Sequence, residues 1–473
     1  MTQSEQFDVI IVGSGQAGNP LAVAFSDAGQ RTALIEREHI GGTCINEGCT
    51  PTKTLIASGR TARVVSRAAT FGIPCTQHPV DWKAIRQRMT RVVESFRAGS
   101  TARLESAELV EIVHGEASFT APHCVEVHAP SASPRTLEAP LIVINTGTRP
   151  AIPNLQGLDE VVFHTSTSIL EIEEIPEHLV ILGGGYVGLE FAQLFRRLGS
   201  FVTVIQRSNQ LLPREDVDVA QAIAELLQEE GIRILLEATP QQVSPSPAGA
   251  FELLVKRVGS IERVIGSHLL VATGRTPNSD ELGLEHAGIH TTDRGFIQVN
   301  DRLETSANDV YAVGDVNAGP AFTHVSYDDY RILRANLLED GAASTAGRQL
   351  PYTVFIDPQL GRIGLTEKEA CASGQPIRIA KLPMAHVARA LEMDESRGFI
   401  KVIVDPQSKE VLGAAVLGVE GGELMGALQI AMMGRLPYTA LRDAVFAHPT
   451  LLESFNNLFG SFVEPGTPGC PST

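Results

Sequence analysis

The chain has 473 residues, 43 % of them hydrophobic, so it is long enough for about three domains at a typical ~150 residues each. Its 55 acidic residues outnumber 38 basic ones, and the formal net charge of −17 repels nucleic acid and anionic lipid. The sequence has no apolar run of the ~18 residues that a membrane span needs, and its six cysteines are too few for a secreted disulfide scaffold. We therefore expect a cytoplasmic globular protein with neither a nucleic-acid nor a membrane partner.

The segment 7–36 predicts a strand, a glycine-rich turn, a helix and a second strand. Gly13, Gly15 and Gly18 fit the pattern G-x-G-x-x-G directly after the apolar residues 9–12. Glu36 follows near the expected distance of ~20 residues, where an acid can accept hydrogen bonds from a ribose. Glycines in this turn let the backbone approach a pyrophosphate at the helix N-terminus. This unit is therefore predicted to bind a dinucleotide.

The same pattern recurs with Gly183, Gly185 and Gly188, between the apolar residues 179–182 and a helical segment. One chain is thus predicted to carry two dinucleotide sites. Short apolar segments and turns over 110–145 predict antiparallel strands that link the two halves. A later apolar strand is expected to end at Asp315, and the sequence from about Leu350 is consistent with an α+β domain.

Cys44 and Cys49 lie between the two nucleotide motifs, with four residues separating them. This is not the C-x-x-C of common zinc sites, and no second pair has ligand spacing, so no metal site is predicted. Pro51 suits the first turn of a helix, which would place Cys49 at a helix N-terminus where the dipole lowers the thiol pKa. A redox-active disulfide fits better, with a flavin relaying electrons from a nicotinamide.

The order of these motifs resembles that of the class I pyridine nucleotide-disulfide oxidoreductases, the family of dihydrolipoamide dehydrogenase, glutathione reductase and mercuric reductase. The segments that carry the resemblance are GGTCINEGCTPTK (41–53), NTGTRP (145–150), ATGRTPN (272–278) and VYAVGD (310–315). Within the family, GSGQAGNPLA, the QRS that follows the second unit's second strand, and HVSYDDYR are similar to the mercuric reductase-like branch.

The resemblance implies an α/β fold with two Rossmann-like dinucleotide-binding domains, for FAD and NAD(P), and a C-terminal α+β dimerisation domain. The implied boundaries are 1–148 for the first FAD segment, 149–277 for the NAD(P) domain, 278–346 for the second FAD segment and 347–473 for dimerisation. A homodimer is expected.

The resemblance also implies roles for single residues. Cys49 would be the flavin-proximal thiol and Cys44 the thiol that attacks the substrate, while Lys53 would pair with Glu190 near the flavin. His448 and Glu453 would reach the other subunit's disulfide, where an imidazole can protonate a leaving thiolate. The residues implied for FAD are Gly13, Gly15, Gly18, Glu36, Gly42, Thr43, Lys53, Thr146, Gly147 and Asp315. Those implied for NAD(P)H are Gly183, Gly185, Tyr186, Gly188, Glu190, Gln206, Arg207, Gly274 and Arg275, with Tyr186 covering the flavin until nicotinamide displaces it.

Plainer readings of these residues stay open, with Lys53 and Glu190 as separate surface charges and Tyr186 as a core residue. The choice of nicotinamide rests on Gln206, which stands where an acid would select NAD. A neutral side chain followed by Arg207 suits a 2′-phosphate, so we expect NADPH, with NADH possible.

The leading functional prediction is an FAD enzyme that takes electrons from NADPH and passes them through Cys44 and Cys49 to a disulfide or another thiol-reactive acceptor. A mercuric or copper ion reductase is the first alternative. It is disfavoured because Cys470 stands alone in the tail, whereas mercuric reductases end in a cysteine pair. A redox sensor or a structural flavoprotein subunit without turnover is the second alternative. Cys75, Cys124 and Cys371 have no motif around them and are interpreted as packing residues.

Overall fold

The computed structural model describes residues 4–74, 79–130 and 132–465. Within these ranges, two parallel five-stranded sheets and one antiparallel six-stranded sheet carry most of the core. The predicted α/β class is therefore confirmed. In the described ranges, no helix is both long and apolar enough to cross a bilayer.

The first parallel sheet contains the strand of the first glycine motif at its centre. Every residue of that strand is buried, as expected for a strand covered on both faces. The spatial order of the sheet is Val310–Ala312, Leu141–Ile144, Val9–Val12, Thr32–Glu36 and Val110–His114. The helices that pack with it are Gly18–Asp27, Trp82–Glu105 and Thr323–Leu338.

A small four-stranded sheet lies next in the chain, in the order Glu5–Gln6, Arg135–Glu138, Cys124–His128 and Glu116–Ala121. Its last three strands are antiparallel, as predicted for 110–145. The same prediction was wrong for Val110–His114 and Leu141–Ile144, which pair parallel in the first sheet. A short apolar run does not reveal its partner strand, because periodicity is the same for either pairing.

The second parallel sheet repeats the design around the second glycine motif. Its order is Phe163–His164, His268–Val271, His178–Leu182, Phe201–Ile205 and Arg233–Leu235, with helices Tyr186–Leu198 and Val217–Glu229. An antiparallel sheet of Thr239–Ser246, Gly249–Arg257 and Ser260–Gly266 packs beside it. Two short antiparallel strands, Thr148–Pro150 and Arg275–Pro277, pair where the chain enters and leaves this unit.

The C-terminal part consists of an antiparallel sheet and several helices, so the predicted α+β arrangement is confirmed. Its order is Tyr352–Val354, Gln359–Gly364, Val411–Gly418, Phe399–Val404, Arg378–Pro383 and Phe462–Val463. The helices of this part are Glu367–Ala372, Ala388–Glu392, Gly421–Met433, Tyr438–Arg442 and Ser454–Leu458.

The cysteines outside the central pair differ from one another. Cys124 is a free thiol, whereas Cys371 is disulfide-bonded, so the interpretation of Cys371 as a packing residue alone was wrong. Cys75 and Cys470 lie outside the described residues.

Candidate functional site: two thiols on a dinucleotide-sized cavity

The first glycine turn is packed around the side chain and carbonyl of Asn145. Gly13 has φ of +105°, and a Cβ there would lie 2.4 Å from the Asn145 carbonyl oxygen. A Cβ at Gly15 would lie 2.6 Å from Oδ1 of Asn145, and one at Gly18 would lie 2.2 Å from the Gly13 carbonyl oxygen. That Oδ1 also accepts the Gly18 N–H at 2.9 Å. No side chain fits at these three positions, so the turn presents bare backbone to a ligand.

Glu36 ends the neighbouring strand and is tied to the same turn. Its Oε2 accepts the Ser14 N–H at 2.9 Å, and its Oε1 accepts the Glu38 N–H at 2.8 Å. Each carboxylate oxygen keeps a further lone pair that can accept a ribose hydroxyl.

A cavity of about 1200 Å³ begins at this turn, which exceeds the ~300–1,000 Å³ of ordinary small-ligand pockets. Most of the residues predicted for FAD and for catalysis line it: Gly13, Gly15, Glu36, Gly42, Thr43, Cys44, Cys49, Lys53, Thr146, Gly147, Glu190 and Asp315. Two residues that were predicted for NAD(P)H alone, Tyr186 and Arg275, line it as well. The other predicted site residues are not among those that line this cavity: Gly18, Gly183, Gly185, Gly188, Gln206, Arg207, Gly274, His448 and Glu453.

Two consecutive helices bring the cysteines to the cavity wall. Cys44 lies in the short helix Gly42–Asn46, and Cys49 is the first residue of the helix Cys49–Arg67. Pro51 lies in the first turn of that second helix, as predicted. Cys49 therefore stands at a helix N-terminus, where the dipole favours the thiolate.

The two thiols share one hydrogen bond and titrate as a pair. The hydrogen bond from Cys44 lowers the pKa of Cys49 to about 6, against an opposing desolvation, and Thr323 and the charge of Lys53 lower it further. The same hydrogen bond, together with burial, raises the pKa of Cys44. At neutral pH the reduced pair is thus a Cys49 thiolate that accepts a hydrogen bond from the Cys44 thiol.

Thr323 bridges the two sulfurs and was missed by the sequence analysis. Its hydroxyl donates to Cys44 Sγ at 3.1 Å and lies 3.5 Å from Cys49 Sγ. It is the first residue of the helix Thr323–Leu338, far along the chain from both cysteines. No motif pointed to it, because a threonine contact made through tertiary packing leaves no local sequence signal.

The structure brings Lys53 and Glu190 together as an ion pair rather than as separate surface charges. Lys53 Nζ lies 2.7 Å from Oε2 of Glu190, whose side chain is 4 % exposed. The other carboxylate oxygen accepts the Phe355 N–H at 2.9 Å. The helix of Lys53 packs against the helix of Glu190, with Gly59 facing Leu194 at the close approach.

Asp315 lies in the turn Gly314–Asn317, three residues after its strand ends, and not at the strand end as predicted. Burial raises its pKa, while Arg275 and the Thr148 hydroxyl, which donates to Oδ2 at 3.2 Å, oppose the rise. Arg275 donates from Nε and Nη2 to Thr148 at 2.6 Å each. The structure therefore places Arg275 on the Asp315 side of the cavity, among the residues predicted for FAD.

The second glycine turn repeats the construction of the first. A Cβ at Gly183 would lie 2.3 Å from the Ala272 carbonyl oxygen, and one at Gly188 would lie 2.2 Å from the Gly183 carbonyl oxygen. Gln206 Oε1 accepts the Gly184 N–H at 3.0 Å, which is the contact that Glu36 makes with Ser14 in the first unit. Arg207, the next residue along the chain, is exposed.

His448 and Glu453 form a hydrogen-bonded pair on the C-terminal part. His448 Nδ1 lies 2.9 Å from Oε2 and 3.0 Å from Oε1 of the glutamate, and the imidazole is 68 % exposed. Neither residue is among those that line the cavity of the same chain. A single chain therefore does not bring this pair to Cys44.

Comparison with known proteins identifies the family to which this arrangement belongs. Residues 7–329 match the model of the pyridine nucleotide-disulphide oxidoreductases, and residues 350–459 match the dimerisation domain of the same family. The chain belongs to this family. The match explains why a redox-type cysteine pair and two glycine turns occur in one chain.

Two named relatives and one solved structure match nearly the whole chain. A probable pyridine nucleotide-disulfide oxidoreductase, RclA, from Escherichia coli K12 is 39 % identical over 96 % of this chain and 99 % of its own. A mercuric reductase from Staphylococcus aureus is 32 % identical over 94 % and 81 %. A solved Cu(II) complex of the HOCl-induced flavoprotein disulfide reductase RclA from Escherichia coli superimposes with a TM-score of 0.88, at 37 % identity, covering 96 % and 99 %.

The residues present fit the FAD that the family uses. The bare backbone at Gly13 and Gly15, the free lone pairs of Glu36 and the half-buried Asp315 all face one cavity of dinucleotide size. In the described ranges, no group of three or more His, Cys, Asp or Glu side chains could hold a metal ion.

Proposed function

We propose that the protein is an NADPH-dependent flavoprotein reductase that delivers electrons through Cys44 and Cys49 to a disulfide. The observation that carries the proposal is the hydrogen-bonded thiol pair on the wall of the cavity, with Cys49 held as a thiolate. A thiolate beside a protonated thiol is the resting form that thiol-disulfide exchange requires.

Residues of the first unit would hold FAD. The turn from Gly13 to Gly18 would face its pyrophosphate, Glu36 its adenosine ribose and Asp315 its ribityl chain. Gly42, Thr43, Thr146 and Gly147 would line the remaining length. FAD, when bound there, supplies the chemistry that converts hydride from a nicotinamide into an electron pair for the disulfide.

The cysteines would perform the exchange in two balanced steps. The Cys44 thiol passes its proton to the imidazole of His448 from the other subunit, and its sulfur attacks one sulfur of the substrate disulfide, forming a mixed disulfide and releasing the first thiolate. Cys49 then attacks Cys44 Sγ, which forms the Cys44–Cys49 bond and releases the second thiolate. The substrate gains two electrons and the cysteine pair loses two.

Two pairs of side chains would support these steps. Lys53, fixed by the buried Glu190, keeps a positive charge near Cys49 and so stabilises its thiolate. His448, oriented by Glu453, would protonate the first leaving thiolate of the other subunit's site. This last role requires a homodimer, which we propose on the match to the dimerisation domain.

We also retain the domain boundaries at 148, 277 and 346 as proposals.

NADPH is proposed over NADH because Gln206 offers no carboxylate at the end of its strand. The Gln206 amide is held against the second glycine turn by Gly184, and Arg207 follows it at the surface. A cation beside a neutral amide favours a 2′-phosphate, which a carboxylate at the same place would repel.

A copper reductase is the second candidate, favoured by the solved Cu(II) complex of RclA. Two soft sulfur ligands on an accessible cavity suit a copper ion that arrives as substrate. In that reaction two Cu(II) ions each gain one electron, while the Cys44 thiol and the Cys49 thiolate together lose two electrons and one proton to form the disulfide.

The test compares the unaltered protein, Cys44→Ser and Cys124→Ser under anaerobic conditions, with NADPH as donor and oxidised lipoamide or Cu(II) as acceptor. Cys124 is a free thiol on the small sheet and serves as the matched control. We expect Cys44→Ser to lose lipoamide turnover while still consuming one equivalent of NADPH, and Cys124→Ser to behave as the unaltered protein. Undiminished lipoamide turnover in Cys44→Ser would contradict the proposal. Turnover with Cu(II) alone would select the second candidate.

A further inference from the structure

Tyr186 begins the helix Tyr186–Leu198 directly after the second glycine turn, and its side chain lines the cavity. Other aromatic rings pack against this side chain. The ring centroid of Tyr186 lies 5.4 Å from that of Tyr352 and 6.2 Å from that of Phe322. Phe322 in turn stacks on Tyr352, with centroids 5.4 Å apart and an angle of 8° between the rings. Any nicotinamide that enters this space must displace Tyr186 from the aromatic cluster.

The hydroxyl of Tyr352 is hydrogen-bonded to a buried carboxylate. This hydroxyl donates to Oε1 of Glu215, a residue that is 5 % exposed. Tyr352 is paired in register with Arg362 on the next antiparallel strand, so both side chains point to the same face. Arg362 is itself buried, with Nε 3.9 Å from the other carboxylate oxygen of Glu215. Glu215 therefore lies between two side chains of the C-terminal sheet.

The loop that carries Glu215 returns to the second glycine turn. The Glu215 N–H donates to the Leu212 carbonyl oxygen at 2.8 Å, and the Leu212 N–H donates to the Gly184 carbonyl oxygen at 3.0 Å. Leu211 packs so closely on Gly184 that a Cβ there would lie 2.6 Å from its side chain. The contacts thus form a closed ring, from Gly184 through Tyr186, Tyr352 and Glu215 back to Gly184.

We propose that Tyr352 and Glu215 are positioning residues that hold Tyr186 in its closed place over the cavity and thereby set the affinity for the nicotinamide nucleotide. This inference rests on the proposed function, which assigns the cavity and the second glycine turn to FAD and nicotinamide. Neither residue touches the thiols, and neither was singled out by a sequence motif.

The expected effect follows from a two-state equilibrium of Tyr186. A nucleotide that binds only the open state has an apparent dissociation constant equal to its intrinsic constant divided by the open fraction. Removing the Tyr352 hydroxyl destabilises the closed state by the net free energy of one hydrogen bond. The equilibrium constant between the closed and open states then changes by a factor of about 2 to 10. Nucleotide binding should therefore become tighter by that factor, whereas nonspecific damage would weaken it.

The experiment measures NADP⁺ binding to the FAD-loaded protein by isothermal titration calorimetry, with NAD⁺ titrated in parallel. The variants are Tyr352→Phe, Glu215→Gln and the double variant, with Tyr327→Phe as control. Tyr327 lies on the helix Thr323–Leu338, is 40 % exposed and contacts Tyr330 instead of the aromatic cluster. Steady-state KM and kcat for NADPH are measured beside the calorimetry.

We expect each single variant to bind NADP⁺ about 2 to 10 times more tightly and to show a lower KM with an unchanged kcat. The double variant should match the single variants, because both act through one contact. Additive effects, unchanged affinity or weaker binding, in variants that fold and load FAD, would overturn the inference. Should Glu215→Gln fail to fold, Tyr352→Phe alone decides the question. Absence of NADP⁺ and NAD⁺ binding by the unaltered protein would instead overturn the proposed function itself.

Discussion

The hydrogen bond between the two thiols makes the sharpest quantitative prediction. Cys44→Ala removes the donor that contributes most to the lowered pKa of Cys49, whereas Cys44→Ser keeps a hydroxyl donor in the same place. A hydrogen bond to a charged group is worth about 1.5–3 kcal/mol, and one pKa unit corresponds to about 1.4 kcal/mol. The pKa of Cys49 should therefore stay near 6 in Cys44→Ser and rise by about 1 to 2 units in Cys44→Ala.

The assay follows iodoacetamide alkylation of Cys49 from pH 4.5 to 9.5 in the reduced variants, read by mass spectrometry of the tryptic peptide 38–53. At pH 7 the thiolate fraction of Cys49 should fall from about 90 % in Cys44→Ser to about 10–50 % in Cys44→Ala. Coincident midpoints in the two variants would refute the reasoning. They would show that Thr323, Lys53 and the helix N-terminus suffice to hold the thiolate.

Three further results are expected. Lys53→Met should lower the free energy of unfolding by about 1–3 kcal/mol, because it removes the partner of the buried Glu190 carboxylate. Lys83→Met, at an exposed position, should leave it unchanged, and equal denaturation midpoints for the two variants would count against the pair. Gln206→Glu should shift the ratio of kcat/KM for NADPH over NADH about tenfold towards NADH, and an unchanged ratio would remove Gln206 from nucleotide selection. His448→Gln should slow disulfide reduction by about 100-fold while NADPH-dependent thiol formation keeps its rate, and slowing of both would contradict its role as a proton donor.

The features that the sequence could predict are those for which a local position requires a particular residue type. Gly13 and Gly15 occupy positions where no Cβ fits, so only glycine is accepted there and the requirement is visible as a sequence motif. Pro51 marks the first turn of the helix that starts at Cys49, so the setting of that thiol was also visible. Two strand, turn and helix units were visible for the same reason, and the fold class was implied by the family resemblance that they helped to carry.

Contacts made only by tertiary packing could not be predicted. Thr323 contacts both sulfurs although it is far from them in the chain, and Arg275 is held by Thr148 where two short strands pair. The pairing of 110–114 with the parallel sheet was missed for the same reason, since an isolated apolar run does not specify its neighbour. The contact of Tyr352 with Glu215 joins two parts of the chain that no local pattern connects.

The central claim is that NADPH delivers electrons to Cys44 and Cys49, and an anaerobic thiol count tests it most directly. The air-oxidised, FAD-loaded protein is alkylated before and after one equivalent of NADPH, and the labelled cysteines are located by peptide mapping. We expect Cys44 and Cys49 to resist the label before NADPH is added and to accept it afterwards, while the labelling of Cys124 does not change. Cysteines 44 and 49 that remain unlabelled after the NADPH has been consumed would contradict the account.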